Sequence, residues 1–197
     1  MELSNWTAEK QEYIRNRAAW EALPLAEKRR LAGYDELYPD EEFKPVVFKN
    51  GYVSDTYAIS QYGKPKIIKT DRLMKVSGGY GIKGRKSYPG FSMRISLEDY
   101  KEQTGIDMTG RQQSIQANGK FVMSGTCHQF TMNTWKPFDE NLLPGLEEWW
   151  DKFPPDLKFL IRDAVIIDHI DDNGWNNHID NLQYTTHRDN NWHNKGI

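Results

Sequence analysis

Residues 164–194 read AVIIDHIDDNGWNNHIDNLQYTTHRDNNWHN, and they set how the C-terminal part of the chain folds. Ala164–Ile167 is a short apolar, largely β-branched run that favours a strand, and it delivers Asp168 and His169 to the strand's end. DDNGWNN is rich in residues that tolerate left-handed backbone, so it reads as a long turn. LQYTT returns as a second strand, and HRDNNWHN continues as a helix. The expected unit is a β-hairpin followed by a helix, with an Asp-His pair where the first strand meets the turn.

That unit gathers a hard oxygen donor, an imidazole and several amides, the groups that metal-assisted phosphodiester cleavage draws on. The stretch resembles the HNH endonucleases, in particular their phage-type, homing-endonuclease-like branch with a ββα-metal fold. Asp168-His169 matches the family's pair, Asn181 in Asp180-Asn181-Leu182 its central Asn, and Asn190 in Asp189-Asn190-Asn191 its helical ligand. Asn176-Asn177-His178-Ile179 also looks like the family's loop, and Cys127-His128-Gln129-Phe130 is a weaker match to a His-containing strand-to-helix step. An Asp-His pair alone would more often sit in a surface turn; the ordered spacing of four polar positions favours a nuclease site. One departure stands in the loop, where this chain has Asp171-Asp172-Asn173 and relatives commonly have Asp-Gly-Asn.

The resemblance implies a DNA endonuclease leaving 5′-phosphate and 3′-hydroxyl ends. Asp168 and Asn190 would hold one divalent ion, Mg²⁺ by preference for hard oxygen donors, with Mn²⁺ able to substitute. His169, with an ordinary pKa near ~6.5, can be neutral at cell pH and deprotonate the attacking water. Asn181 would hold the hairpin and orient His169. The alternative is a DNA-binding accessory protein, such as a phage DNA-packaging partner, whose site is idle on its own. A single such site cuts one strand per visit, so double-strand cleavage would call for a homodimer or a second visit.

Charge is strongly partitioned. Residues 1–50 carry a net of −2, residues 51–137 a net of +7 and residues 138–197 a net of −7, against −2 for the whole chain. Within 60–95 stand Lys64, Lys66, Lys69, Arg72, Lys75, Lys83, Arg85, Lys86 and Arg94, opposed by Asp71 alone. The pI of one face matters more to nucleic-acid binding than that of the chain, so these nine cations are the expected contacts to double-stranded DNA. Residues 41–63 add a second resemblance, to the small DNA-binding module N-terminal to many phage HNH enzymes. Phe43 stands where Trp is common, and Tyr57, Ile59, Ser60 and Gly63 match the Tyr-x-Val/Ile-Ser-x-x-Gly pattern. With no further module after Asn190, site recognition is expected from this N-terminal part.

Three units follow: an N-terminal helical segment (1–40), a β-rich basic module (41–112) and a nuclease domain (113–197), giving an α+β chain. In the first, Thr7 can cap a helix carrying Tyr13, Ile14, Trp20 and Leu23 on one face, and Pro24 and Gly33 bracket a second. Lys28, Arg29 and Arg30 read as a solvated face. PVVF, TYAIS, KIIK and FSMRISL read as strands between turn signals. SLEDYKEQTG, PGLEEWWDKF and PDLKFLIRD read as short helices. His128, His178, His187 and His193 read as packing or solvated residues rather than ligands. Trp149, Trp150 and Trp175 read as anchors rather than base-stacking platforms. One cysteine, Cys127, excludes an internal disulfide framework and an all-cysteine zinc site. No apolar run approaches the ~20 residues of a membrane span, and the N-terminus lacks a signal-peptide pattern. A cytoplasmic protein, in a bacterial host if phage-encoded, with no membrane partner is expected.

Overall fold

Helix caps open the N-terminal segment. In the computed structural model, which describes residues 16–78, 87–109 and 118–193, α1 (Arg17–Ala22) starts at Asn16, whose side chain accepts the Ala19 N–H at 3.2 Å. Pro24 then leads into α2 (Leu25–Leu31), which ends ahead of Gly33. Thr7, Tyr13 and Ile14 lie outside the described residues, as do Lys83, Arg85 and Lys86.

The basic module is a four-stranded antiparallel sheet: β1 (Phe43–Val47), β2 (Val53–Ser60), β3 (Pro65–Ile67) and β4 (Arg72–Leu73), in that spatial order. KIIK is strand only to Ile67. Ile68–Thr70 form a 3₁₀ turn and Asp71 takes φ 52°, because the chain must reverse at once for Arg72 to pair with Ile67. A second sheet holds β5 (Ser77–Gly78), β6 (Pro89–Ser96) and β7 (Lys120–Thr126), with β6 and β7 paired from Gly90↔Thr126 to Ser96↔Lys120. Ser96 caps α3 (Leu97–Thr104). Thr126 and Gln129 form a reciprocal capping box that starts α4 (Cys127–Trp135) directly off β7.

PGLEEWWDKF does not form the expected helix. Only a 3₁₀ turn at Trp150–Lys152 appears, because Trp150 is buried edge-on against Phe138 and Phe153 and these anchors fix an irregular loop. Next come α5 (Pro155–Ala164), β8 (Val165–His169), β9 (Leu182–Thr186) and α6 (His187–His193). The hairpin followed by a helix is thus present where the sequence places it.

The three expected units share one core. β6 and β7 pair across the 112/113 division. A single cluster joins Trp20 and Leu31 to Val46 and Ile59, to Phe91, Phe121 and Phe130, and to Trp175. α4 packs against β1, β2, β6, β7 and β8, so it touches all three sheets and backs the hairpin. Among the described residues no helix is long and apolar enough to cross a membrane.

Candidate active site

β8 and β9 pair antiparallel, with Asp168 opposite Gln183 and His169 opposite Leu182, so the Asp-His pair sits at the hairpin's loop end. Both side chains are buried, at 6% and 2% exposure. Burial of two ionisable neighbours is costly unless partners compensate, and the loop supplies one to His169.

The loop is ordered by its own amides. The Asn181 amide donates to Asp171 Oδ1 and to the Asn176 carbonyl, each at 2.8 Å, and its oxygen accepts the Asp171 N–H at 3.1 Å. Asn176 Nδ2 donates to Asp171 Oδ2 at 2.8 Å. Asn181 therefore ties the two sides of the loop together. Asp172 adopts φ 63°, the left-handed conformation that the commoner Gly would supply, and its N–H donates to the His169 carbonyl at 2.9 Å. Aspartate tolerates that region better than most residues, so the departure leaves the turn intact.

The side chain bonded to the imidazole is Asn177 rather than Asn181. His169 Nε2 lies 2.9 Å from Asn177 Oδ1, while the Asn181 amide is engaged within the loop. An amide oxygen only accepts, so Nε2 is the donor in this contact. Two further rings enclose His169: His128 edge-on at 5.1 Å and Tyr88 at 5.6 Å. His128 Nε2 meets the Thr126 hydroxyl at 3.1 Å, and its Nδ1 is sealed from solvent with no hydrogen-bond partner among the described residues. Burial, with His169 alongside, pushes the His128 pKa well below the ordinary value, so this ring stays neutral. The sequence reading treats His128 as a packing residue and assigns Asn177 and Tyr88 no role. The doubled Asn176-Asn177 is the one signal that pointed to the loop.

For a cation, the informative group is Asp168. Its buried carboxylate has one hydrogen bond among the described residues, from Gln183 Nε2 at 3.4 Å, and no ion pair. A nearly dry carboxylate with so weak a partner suits a bound cation. Asn190 lies half-buried on α6, which packs back on β8 and β9. α6 begins where Thr186 Oγ1 donates to Asp189 Oδ2 at 2.8 Å and accepts the Asp189 N–H at 3.2 Å. Among the described residues no cluster of three or more His, Cys, Asp or Glu side chains forms. One carboxylate and one amide oxygen make a sparse donor set, of the kind Mg²⁺ completes with water and phosphate.

The expected DNA-contacting cations divide. Lys69, Arg72, Lys75 and Arg94 are exposed. Lys66 is half-buried, pairs with Asp71 at 2.6 Å and lies over the Phe43 ring at 4.1 Å. Lys64 is not a surface cation. It is 1% exposed, pairs with Glu41 at 2.7 Å, donates to the Glu36 carbonyl at 2.6 Å and lies 3.6 Å from the Tyr38 ring centre. It follows Gly63 in the turn that docks on the loop between β8 and β9, so burial claims it. Lys28 departs from the solvated reading in the same way. It is buried against Glu21, at 2.8 Å, and the Ser87 hydroxyl, at 3.2 Å.

Among the other singled-out residues, His178 is structural: its Nδ1 accepts the Asp180 N–H at 3.2 Å, its ring lies against Tyr62, and burial lowers its pKa. His187 is exposed at the start of α6, and the His193 side chain lies outside the described residues. Trp175 is a buried anchor. Its Nε1 donates to the Ser87 hydroxyl at 3.0 Å, and its rings meet Trp20 and Tyr34 edge-on.

Compared with known proteins, residues 161–192 match a family model described as HNH endonuclease. The match covers α5's end, both strands of the hairpin and most of α6, and it supports an HNH nuclease domain in that segment. No curated protein and no solved structure matches the chain.

Proposed function

We propose that this protein is a metal-dependent endonuclease that hydrolyses phosphodiester bonds in double-stranded DNA, with His169 as general base. The observation that carries the reading is the buried Asp168-His169 pair at the loop end of the hairpin, with His169 Nε2 held 2.9 Å from Asn177 Oδ1. An imidazole held through Nε2 offers Nδ1 to a water when the ring is neutral.

Asp168 and Asn190 would hold the divalent ion, Mg²⁺ or Mn²⁺. Once bound, such an ion offers Lewis-acid stabilisation of charge on the phosphate and on the departing 3′ oxygen. His169 Nδ1 takes the proton of the attacking water, and the Nε2–H···Oδ1 bond to Asn177 stabilises the imidazolium that results. Asn181 keeps the loop closed around this pair without touching the ring. Departure of the 3′ oxygen leaves 5′-phosphate and 3′-hydroxyl ends.

Affinity has to come from elsewhere, because the C-terminal residues are net acidic. Lys66, Lys69, Arg72, Lys75 and Arg94, with Lys83, Arg85 and Lys86 between them in sequence, are the proposed phosphate contacts.

The test is cleavage of supercoiled duplex DNA by the full chain in Mg²⁺. His169→Ala is expected to lower the single-turnover rate by about 10²–10⁴-fold while duplex binding persists. A variant that cuts at the wild-type rate would remove His169 from the mechanism. Failure of the wild type to nick any duplex would favour a DNA-binding accessory role.

A further inference from the structure

We propose that Glu21 of α1 and Ser87, just before β6, are positioning residues that hold two neighbours of His169, Tyr88 and the Trp175–Asn177 stretch, in place. This rests on the nuclease reading above only for its effect on rate. Ser87 is the hub. Its N–H donates to Glu21 Oε1 at 3.1 Å, and its hydroxyl donates to Glu21 Oε2 at 2.7 Å. The same hydroxyl oxygen accepts from Lys28 Nζ at 3.2 Å and from the Trp175 indole N–H at 3.0 Å. A hydroxyl has one proton to give and two lone pairs to fill, so its whole capacity is engaged.

The carboxylate end of this clamp is fixed too. Lys28 Nζ, on α2, donates to Glu21 Oε2 at 2.8 Å and to the Glu21 carbonyl at 3.2 Å. Burial acts to raise the Glu21 carboxyl, but the bonds from Lys28 and Ser87 outweigh it and hold the group below its ordinary value. Glu21 is therefore an ionised acceptor, and bonds to a charged acceptor are the stronger kind.

Two groups beside His169 connect to this hub. Tyr88 follows Ser87 in the chain, and its ring lies 5.6 Å from that of His169 and 5.1 Å from that of His128. Trp175, bonded to the Ser87 hydroxyl, is two residues before Asn177, whose Oδ1 lies 2.9 Å from His169 Nε2. Gly174 lets the two segments meet. A Cβ there would lie 2.7 Å from the Ser87 carbonyl oxygen and 2.8 Å from the Tyr88 ring. A shift at Ser87 is thus passed to Tyr88 through the chain and to Asn177 through the indole. Glu21, Lys28 and Ser87 all lie outside residues 161–192, and through them the N-terminal helices bear on the geometry around His169.

NMR of the full chain reads the clamp at both ends, through the Trp175 indole N–H signal and the cross-relaxation between Tyr88 and His169 ring protons. Trp175→Phe and Tyr88→Leu give the assignments. Ser87→Ala should move the indole signal, weaken the Tyr88–His169 contact and lower the single-turnover cleavage rate by about tenfold, with DNA affinity within about twofold. Ser87→Thr keeps the hydroxyl and should restore both signals and the rate. Glu21→Gln turns one acceptor oxygen into a donor facing donors, and should act like Ser87→Ala without altering residues 87–88. Glu27→Gln is the control. It removes a surface pair with Arg30 at 2.6 Å on the neighbouring helix and should leave signals and rate as in the wild type. Ser87→Ala or Glu21→Gln with an unmoved Tyr88–His169 contact would overturn the proposal, even if stability or rate fell. So would a loss confined to DNA affinity. Should Ser87→Ala not fold, Glu21→Gln decides alone. If the wild type cuts no duplex, the nuclease reading fails while the NMR signals still decide the clamp.

Discussion

Asp168 and His169 are adjacent in sequence, but their surroundings ask different things of them. The Asp168 carboxylate is buried with one weak donor, so a cation is its natural complement. In thermal unfolding, millimolar Mn²⁺ is expected to raise the Tm of the wild type by mass action, and Asp168→Ala should remove most of that rise. An equal rise in both proteins would place the ion elsewhere. His128 carries a different prediction. Its folded pKa lies well below the ordinary 6.5, so between those values the unfolded chain holds a proton that the folded chain lacks. Stability contributed by the neutral ring is present above that ordinary value and is lost as pH falls through the window. His128→Gln should therefore lose less Tm than the wild type between about pH 7.5 and about pH 5.5. A steeper loss in the variant would contradict a buried neutral ring. Asp168, His169 and Asn181 were legible in the sequence because spacing along one hairpin carries them. The bond from Asn177 to Tyr34 was not, because it joins atoms 143 residues apart in the chain.

The element that most changes the sequence reading is the turn Ser60–Lys64. Its Ser-x-x-Gly pattern reads as part of a DNA-binding module, yet here it is a docking turn. Ser60 Oγ accepts the Tyr62 and Lys64 N–H groups, and the Gln61 carbonyl accepts the Ile179 N–H at 2.7 Å from the nuclease loop. Gly63 has φ +77°, and a Cβ there would lie 2.5 Å from Asn177 Cβ and 3.2 Å from Thr131 Oγ1. Glycine is needed both for the backbone and for the approach. Gly63→Ala should cost about 2–4 kcal/mol, combining left-handed strain with overpacking, and should slow cleavage by displacing Asn177. Gly51 also has positive φ, +87°, but open space around it. Gly51→Ala should cost only about 1 kcal/mol. Equal losses in chemical denaturation would show that contact with the loop does not matter.

Over the full chain, charge is partitioned, with a basic middle and an acidic C-terminal part. The candidate site lies among net-acidic C-terminal residues, while Lys69, Arg72, Lys75 and Arg94 of the β-rich segment are exposed. Replacing Lys66, Lys69, Arg72 and Lys75 together with Gln is expected to weaken duplex binding. It should also flatten the dependence of log K on log salt by about 0.9 for each phosphate that is no longer neutralised. Arg29 and Arg30 are paired with Asp35 and Glu27, so neutralising them should leave the slope nearly unchanged. Salt titrations in a His169→Ala background measure both. The reverse ranking would move the DNA-binding surface to the N-terminal helices.

Local sequence accounts for the hairpin and its helix, the strands of the module, and the order of Asp168, His169, Asn181 and Asn190. All of these rest on periodicity, turn chemistry and short spacings, which act between near neighbours in the chain. Long-range packing makes Lys64 and Lys28 buried ion-pair partners rather than surface charge and turns Trp150 into the anchor of a loop rather than part of a helix. A lysine in a string is equally compatible with water or a buried carboxylate. Which it meets depends on how distant segments pack, and here that packing draws the N-terminal helices, the module's turn and α4 together around one histidine.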